Sequence, residues 1–504
     1  MNGTVYLIGA GPGDPGLMTC KGLDCLVRAD VIIYDHLVNK QLLDIAPESA
    51  ARIYAGKSAG CHAMSQDEIN RLLVSSSREG KAVVRLKGGD PFVLGRGGEE
   101  AETLAKCGVP FEIVPGVTSA VAAPAYAGIP VTHRELASSF AVIAGHEDLA
   151  KSDSRIQWAK LATGVDTLVF LMGMQNLPEI VARLVEHGRA IDTPVAVVQD
   201  GTGPLQKTVV GTLRDIVDLV KENGMVPPAV VVVGEVVRLR ETIRWFDNRP
   251  LFGKRILVTR ASHQASTMSK ALAERGALPV ELPAITIQRL SDDKELKAAI
   301  LNLGQYQWIV FTSVNGVEAF FDALVNQKLD SRALSQLIIG AIGPSTAEAL
   351  RQKGIVADFQ PDIFTSEGLI AGLKQWNIAG QRFLLPRADI AGEELVQGLV
   401  GFGALVQEIA VYRTSPDVES IAQAKEMLLT KQIDVITFTS SSTVTNLITA
   451  LGDNEIPEGV KIACIGPKTA ETAIKAGLKP DVVAKEHNIS GLIDSLEEFF
   501  RKAA

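Results

Sequence analysis

The chain has 504 residues, and at roughly 150 residues per domain this length implies about three or four compact lobes. Its 46% hydrophobic and 21% charged residues are typical of a folded globular protein and exclude an intrinsically disordered chain. The net charge of -8 argues against nucleic acid or an anionic membrane as the main partner, although local basic clusters can still bind an anionic small molecule.

The amino-terminal segment and the cysteines indicate a cytoplasmic protein. Residues 1–8 enter an apolar strand without the basic region of a signal peptide, and no apolar run approaches the ~18 residues of a spanning helix. The five cysteines are scattered and contain no Cys-x-x-Cys pair, as expected of reduced thiols. We therefore expect a cytoplasmic protein that binds neither nucleic acid nor membrane.

Short apolar runs alternate with longer helical patterns along the whole chain. This alternation predicts an α/β fold with largely parallel sheets. Buried strands are predicted at residues 31–34, 83–86, 167–171 and 230–233. Glycine-rich corners lie between several of them, and the ligands of open α/β sheets collect at such strand ends.

The first such corner, residues 9–16 (Gly-Ala-Gly-Pro-Gly-Asp-Pro-Gly), directly follows the first strand. Glycines there let the backbone approach a ligand closely. The alternative is a dinucleotide-binding loop with Asp35 as the ribose-binding acid. That pattern fits poorly, because Asp14 stands where its third glycine belongs, Pro12 stiffens the turn, and no Walker lysine follows.

A second corner, residues 87–100, has five glycines and a proline, which is not a core pattern. Together with residues 9–14, 34–38, 114–120 and 128–134, it resembles the uroporphyrinogen-III C-methyltransferases, which are class III, tetrapyrrole-type methyltransferases. The resemblance covers residues 1 to about 245, and the motifs occur in the same order.

This resemblance implies transfer of two methyl groups from S-adenosylmethionine to ring carbons of uroporphyrinogen III, giving precorrin-2. It also implies a two-lobed methyltransferase fold with the cofactor in the cleft, and a homodimer formed through this half. The positions that match the family's cofactor site are Pro12, Gly88, Gly89, Asp90, Val93, Thr118, Ser119, Met172, Gly201 and Ala229.

Two further positions match the family's proposed acid–base residues, Asp35 as proton acceptor and Lys57 as proton donor. A sulfonium methyl group is already a strong electrophile, so the protein mainly supplies placement, and a carboxylate takes up the proton. Two alternatives stay open at this point. Asp35 could instead be a solvated carboxylate at a strand end, and Lys57 could instead contact a carboxylate of the substrate.

The implied substrate carries eight carboxylates, so cations should surround its site despite the acidic total. Arg96 and Arg134 are candidates beside Lys57, because guanidinium groups suit carboxylates, and ordinary surface solvation is their alternative. His133 and His146 lack the spacing of a metal site, and we expect no metal.

The boundary between two halves is predicted near Arg249, where a turn-rich stretch precedes a new strand. The first half is then residues 1–248, with lobes of about 1–132 and 133–248, and the second is residues 249–504.

The second half contains an internal repeat. Residues 308–313 are echoed by 435–440, and residues 341–347 are echoed by 464–470, the latter with an offset of 123 residues. Two copies indicate two similar α/β lobes rather than a solenoid. We also expect the chain to cross between these lobes more than once.

The corners of this half resemble those of uroporphyrinogen-III synthase. The similarity rests on Arg260 and on the segments at residues 311–316, 342–347, 364–369, 411–414 and 465–470. It implies two flavodoxin-like lobes that close hydroxymethylbilane to uroporphyrinogen III with inversion of the last ring, without a cofactor.

Hydroxyls and N–H groups at helix starts bind carboxylates without a full charge. The residues expected to do so, with two cations beside them, are Thr312, Ser313, Ser345, Thr346, Thr439, Ser440, Arg260 and Lys468. Tyr412 matches the family's tyrosine and is expected to assist departure of the terminal hydroxyl, the alternative being a packed tyrosine.

The sequence therefore predicts a bifunctional enzyme whose product feeds sirohaem or cobalamin. Two other interpretations remain open. Either only the first half is active, or the second half is a non-catalytic tetrapyrrole-binding module.

Overall fold

The computed structural model describes residues 2–56, 64–146, 156–259, 262–282, 285–290, 294–389, 391–452 and 456–503. Lys57 and Arg260 lie outside the described residues, so their expected roles stay predictions. The chain divides into two compact units, which are Met1–Arg255 with Ala271–Leu278 and Glu497–Ala504, and Ile256–Lys270 with Pro279–Leu496. None of the described helices has the length and apolarity needed to cross a membrane.

The first unit begins with a parallel sheet of five strands. The strands are β1 (Val5–Gly9), β2 (Val31–Tyr34), β3 (Ala51–Tyr54), β4 (Val83–Lys87) and β5 (Phe111–Val114). The helices are α1 (Cys20–Leu26), α2 (Gln66–Arg78), α3 (Gly97–Lys106) and α4 (Ser119–Tyr126). The order is β3-β2-β4-β1-β5, and every pairing is parallel. The carboxyl ends of all five strands therefore lie at one edge of the sheet, and the glycine-rich corners after β1 and β4 lie at that edge.

A second sheet follows in the same unit. Its strands are β6 (Phe140–Ala144), β7 (Thr167–Leu171), β8 (Pro194–Gln199), β9 (Lys207–Thr212) and β10 (Ala229–Val233). Its helices are α5 (Trp158–Gly164), α6 (Leu177–Glu186), α7 (Ile216–Glu222) and α8 (Arg240–Ile243).

The order of this second sheet is β6-β7-β10-β8-β9, and only β6 and β7 are parallel to each other. The sheet is therefore mixed, whereas the apolar runs predict a largely parallel one. Strands β8 and β10 are buried on both faces, and such continuous apolar runs do not reveal strand direction.

The rest of the chain forms two further sheets. The strands are β11 (Arg255–Val258), β12 (Leu278–Glu281), β13 (Ile285–Arg289), β14 (Trp308–Phe311), β15 (Ile338–Ala341), β16 (Arg382–Ala388), β17 (Leu405–Pro416), β18 (Val435–Phe438), β19 (Lys461–Cys464) and β20 (Val482–Val483). The helices are α9 (Ser262–Glu274), α10 (Lys294–Leu301), α11 (Val314–Asn326), α12 (Pro344–Gln352), α13 (Ser366–Leu373), α14 (Glu394–Gly401), α15 (Val418–Leu429), α16 (Ser441–Leu451), α17 (Pro467–Lys475) and α18 (Ile489–Ala503).

One of these sheets has the order β12-β11-β18-β19-β20, which is the flavodoxin-like order when its strands are counted along the chain. The other has the order β13-β17-β16-β14-β15, with β13 as an antiparallel edge strand. The chain leaves the first sheet after β12 and returns to it at β18. The predicted crossing between lobes is thus confirmed.

The internal repeat is visible in the helix starts. Ser313 caps α11 by accepting from Gly316 N–H at 3.0 Å, and Ser440 caps α16 by accepting from Thr443 N–H at 3.3 Å. Helices α12 and α17 each begin with a proline after an extended glycine. These matching corners confirm two similar lobes.

Candidate functional site

Three loops meet at the carboxyl edge of the first sheet through glycines that have no room for a side chain. A Cβ on Gly116 would lie 2.3 Å from the carbonyl oxygen of Gly89, and one on Gly9 would lie 2.5 Å from Cα of Gly116. Gly11 and Gly89 also exchange two backbone hydrogen bonds, of 3.2 and 2.7 Å. The loops after β1, β4 and β5 therefore present bare backbone at the position where open α/β sheets bind ligands.

The carboxylate of Asp90 braces this surface. It accepts from the N–H of Phe92 at 2.7 Å and from the N–H of Gly116 at 3.0 Å, which ties the loop after β4 to the loop after β5. Thr118 caps α4 by accepting from the N–H of Ala120 at 3.3 Å. The structure thus brings Asp90 and the start of α4 together. Of the other expected cofactor residues, Pro12, Gly88, Gly89 and Val93 lie on these loops, and Ser119 is the first residue of α4.

The remaining expected cofactor residues come from the second lobe. A Cβ on Gly201 would lie 2.4 Å from Cβ of Ala123, so the corner after β8 packs directly on α4. Met172 follows β7 with a φ of +58° and is 49% exposed. Ala229 opens β10, whose antiparallel register against β7 places it beside Met172. The second lobe thus contributes the exposed thioether of Met172 and the backbone of Gly201, which lies against α4.

Asp14 joins the two lobes, and the sequence did not predict this contact. Its N–H donates to Oγ1 of Thr202 at 3.0 Å, and its Oδ2 accepts from the hydroxyl of Tyr126 at 2.8 Å. Burial and this hydrogen bond raise the pKa of Tyr126, so the phenol stays a donor. An aspartate inside a glycine-rich turn was the only available signal.

Asp35 lies at the end of β2 beside the glycine loop. Its Oδ1 accepts from the N–H of Leu37 at 3.1 Å and would lie 3.7 Å from a Cβ on Gly88. Its Oδ2 is 3.9 Å from Nη2 of Arg85, and its side chain is 27% exposed. The structure therefore places the expected proton acceptor next to the expected cofactor loop and in reach of solvent.

A cluster of buried charges underlies Asp35. Oε1 of the fully buried Glu100 accepts from Nε of Arg85 at 3.1 Å, from Nζ of Lys87 at 3.2 Å and from Nε2 of Gln66 at 3.1 Å. Burial, with Arg85 nearby, lowers the pKa of Lys87. The signal in the sequence was two cations at alternate positions of an apolar strand, which side-chain alternation places on one face.

The two arginines expected at the substrate lie at the surface. Arg96 precedes α3 and makes a two-pronged ion pair with Glu99, at 2.9 and 2.7 Å, which uses two of its five N–H donors. Arg134 is exposed in the turn before β6. Across the described ranges, no group of three histidine, cysteine or acidic side chains is arranged to hold a metal ion.

In the second half, the structure brings Tyr412 and Ser313 together. The two hydroxyls lie 3.1 Å apart at the carboxyl end of β14, and Tyr412 is 8% exposed. Ser313 also caps α11, so its Oγ already accepts the N–H of Gly316. The sequence predicted both residues but not their contact.

The other expected substrate residues of this half stand at helix starts, as predicted. Thr312, Thr439 and Ser440 are half-buried, and Ser345 and Lys468 are exposed. Thr346 is only 4% exposed, so Ser345 is the accessible hydroxyl of that corner.

Two family models match separate parts of the chain. The family model of tetrapyrrole (corrin/porphyrin) methylases matches residues 4–217. The model of uroporphyrinogen-III synthase HemD matches residues 266–494.

The relatives include one that matches nearly the full length. The porphyrin biosynthesis protein HemD of Ruminiclostridium josui is 40% identical over 497 residues, which cover 99% of this chain and 98% of that protein. The uroporphyrinogen-III C-methyltransferase of Bacillus subtilis (strain 168) is 42% identical over 361 residues, covering 72% and 74%. The siroheme synthase of Pseudomonas putida (strain W619) is 51% identical over 245 residues, which are 49% of this chain and 52% of that protein.

Solved structures resemble one half at a time. The uroporphyrin-III C-methyltransferase of Thermus thermophilus complexed with S-adenosyl homocysteine is 40% identical and covers 47% of this chain and 100% of its own, with a TM-score of 0.40. A mutant uroporphyrinogen III synthase of the same species is 20% identical and covers 50% and 100%, with a TM-score of 0.40. The two family models and the full-length relative together show that the chain belongs to the porphyrin-biosynthesis enzymes in which a uroporphyrinogen-III C-methyltransferase is fused to a uroporphyrinogen-III synthase.

Proposed function

We propose that the second half closes hydroxymethylbilane to uroporphyrinogen III with inversion of the last ring, and that the first half methylates this product twice to precorrin-2. For the first half, the observation that carries the proposal is the close approach of backbone at Gly9, Gly89 and Gly116, with Asp35 next to Gly88. For the second half it is the contact between the hydroxyls of Tyr412 and Ser313. Because these loops pack backbone against backbone without side chains between them, a ligand at the strand ends can meet their N–H and C=O groups directly.

S-adenosylmethionine supplies an electrophilic methyl group on a sulfonium sulfur. The residues that would hold it, in the first unit, are Pro12, Gly88, Gly89, Asp90, Val93, Thr118, Ser119, Met172, Gly201 and Ala229. They fit such a group because the glycine corners leave backbone N–H and C=O groups without covering side chains. Asp90 and the Thr118 cap of α4 hold these loops in place in the absence of cofactor.

Asp35 would accept the proton that the macrocycle releases as its double bonds rearrange after methylation of a pyrrole carbon. Its partial exposure lets that proton pass on to water, and Arg85 contacts its second oxygen at the base of the site. The proton-donor role of Lys57 rests on the sequence alone, and so does a substrate contact for Arg134. Arg96 would bind a substrate carboxylate through the N–H groups that its pair with Glu99 does not use.

Asp35→Asn tests the acid–base assignment. Methylation of uroporphyrinogen III should slow by roughly 10²- to 10⁴-fold, because a positioned base is lost. Binding of S-adenosylhomocysteine, measured by calorimetry, should stay within a factor of about two. Asp44→Asn, which changes an exposed aspartate of the same lobe, is the matched control and should keep the full rate. An Asp35→Asn chain that methylated at the wild-type rate would remove Asp35 from the mechanism.

In the second half, Tyr412 would protonate the terminal hydroxyl of hydroxymethylbilane as the carbon–oxygen bond breaks. The bonding electrons leave with the oxygen as water, and solvent returns a proton to the phenolate. Because Ser313 Oγ accepts the N–H of Gly316, its own proton can be donated to Tyr412 Oη. The phenol proton is then free for the substrate.

Tyr412→Phe should lower synthase turnover by roughly 10- to 100-fold without abolishing it, because binding geometry still directs closure. The measurement is the rate of type III isomer formation from hydroxymethylbilane, after separation of the isomers. Tyr306→Phe, which removes a hydroxyl that donates to Gln407 at 2.5 Å, is the matched control and should leave this rate unchanged. A fully active Tyr412→Phe chain would overturn the acid role.

We further propose that the enzyme works in the cytoplasm as a homodimer formed through its first half, and that the second half needs no cofactor. The resemblance of the first half to the methyltransferases supports the dimer. Precorrin-2, the proposed product, would be a precursor of sirohaem or cobalamin. Sedimentation of the purified chain tests the assembly, since a monomer at micromolar concentration would contradict it. Synthase activity after exhaustive dialysis against chelator tests the absence of a cofactor.

A further inference from the structure

We infer that Tyr126 is a positioning residue of the cofactor site, and that it acts through Asp14 on the loop after β1. This inference rests on the proposed cofactor site, because the loop carries Pro12. It adds three residues, Asp14, Tyr126 and Thr202, that the proposed site does not contain.

Asp14 is held from three directions. Its Oδ1 accepts from the N–H of Gly16 at 2.7 Å, its Oδ2 accepts from Tyr126 at 2.8 Å, and its N–H donates to Thr202 at 3.0 Å. The first contact fixes the turn itself, whereas the other two fix the turn against α4 and against the second lobe. Asp14 is therefore the residue through which the loop is oriented.

Thr202 is a rigid anchor for that loop. It is only 2% exposed, it has a φ of +74°, and its N–H donates to Oε1 of Gln206 at 2.9 Å. It also follows Gly201, the corner that packs on α4. A shift of Asp14 relative to Thr202 would therefore change the distance between cofactor residues of the two lobes.

The Tyr126 ring is itself immobilised. Its centroid lies 5.1 Å from that of Trp245 and 4.7 Å from that of Phe246. Nε1 of Trp245 donates to the carbonyl of Ala125 at 2.9 Å, and the Arg249 guanidinium lies over both neighbouring rings, at 5.0 and 4.8 Å. These residues form the aromatic clamp (Trp245, Phe246 and Arg249).

The two ends of α4 thus serve one site. The amino end offers Thr118 and Ser119 directly, and the carboxyl end offers the Tyr126 hydroxyl to Asp14. The aromatic clamp lies in the segment that leads to the synthase half, and it holds the carboxyl end of α4 in place. Without the hydroxyl, the loop would sample more conformations, and the cofactor would have to order it on binding. Affinity should fall while the chemical step, which uses Asp35, is spared.

The experiment is a double-mutant cycle read by calorimetric titration with S-adenosylhomocysteine. Tyr126→Phe and Asp14→Asn should each raise its Kd by about 5- to 20-fold, since each weakens a hydrogen bond to a carboxylate. The double variant should bind within about twofold of the weaker single variant, because both changes break one contact. KM for S-adenosylmethionine should rise in parallel, with kcat within about twofold.

Tyr306→Phe serves as the control, since it removes a tyrosine hydroxyl bond in the second half and should leave the Kd unchanged. A Tyr126→Phe chain that binds within twofold of wild type, or single effects that multiply in the double variant, would overturn the inference. If Tyr126→Phe does not fold, Asp14→Asn changes the other partner of the same contact, and an unchanged Kd there has the same meaning. A wild-type chain that does not bind S-adenosylhomocysteine would instead overturn the proposed cofactor site.

Discussion

Glu100 illustrates how single residues are tied together below the methyltransferase site. It is a buried carboxylate that serves two buried cations, Arg85 and Lys87, and Arg85 in turn contacts Asp35. Removal of one partner from a buried ion cluster leaves the other charges without compensation, which costs far more than the loss of a surface pair.

Glu100→Gln should therefore lower the free energy of unfolding by about 3 to 5 kcal/mol in urea denaturation. Glu102→Gln is the matched control on the same helix, because Glu102 is exposed and pairs with Lys106 at 3.4 Å. The control should change stability by less than about 0.5 kcal/mol. Equal stabilities for the two variants would show that the cluster contributes nothing to folding.

The loss caused by Glu100→Gln should also depend on pH. Burial and Arg85 lower the pKa of Lys87 below its ordinary value of 10.5, and removal of Glu100 should lower it further. Between the lowered folded pKa and 10.5 the unfolded chain binds the lysine proton more tightly, so the unfolding free energy rises with pH. The deficit relative to wild type should be smaller at about pH 9.5 than at about pH 7. A deficit that grows with pH would contradict this assignment.

At the scale of residues, the sequence predicted residues that stand in recognisable motifs better than residues whose importance comes from a contact made only in the folded chain. Asp35 and Tyr412 stand in recognisable motifs, and the structure places the first beside the glycine loop and the second beside Ser313. Glu100 and Tyr126 were missed because their partners are distant in sequence. For Tyr126 the separation from Asp14 is 112 residues.

At the scale of elements, three strand-end loops meet at the proposed cofactor site. Gly116→Ala would place a Cβ 2.3 Å from a backbone oxygen of Gly89, and backbone on both sides cannot rotate away. Binding of S-adenosylhomocysteine should weaken by at least about tenfold, since the loops must separate. Gly164→Ala is the control at the end of α5, where a new Cβ meets nothing within 4 Å. Full affinity in Gly116→Ala would show that the close approach is unimportant for the cofactor.

The elements themselves were largely predictable, but their directions were not. Strand and helix alternation predicted the α/β class, and the repeat predicted two similar lobes in the second half. The mixed sheet of β6 to β10 was not predicted, because apolar runs buried on both faces look alike in either direction. Thr346 was expected to bind substrate because it stands at a helix start, and the sequence did not reveal that it is only 4% exposed.

At the scale of the whole molecule, two enzymes share one chain, and the product of the second half is the substrate of the first. Each half has its own sheets and its own site residues, so a defect in one should leave the other active. The relative in Ruminiclostridium josui aligns with both halves, because the match covers 99% of this chain and 98% of that protein.

The most direct test supplies the purified chain with hydroxymethylbilane, separates the uroporphyrinogen isomers, and then adds S-adenosylmethionine while precorrin-2 absorbance is followed. The type III isomer should form faster than spontaneous closure and should then be methylated twice. Formation of the type I isomer alone would contradict the synthase half, and type III isomer that stays unmethylated would contradict the methyltransferase half.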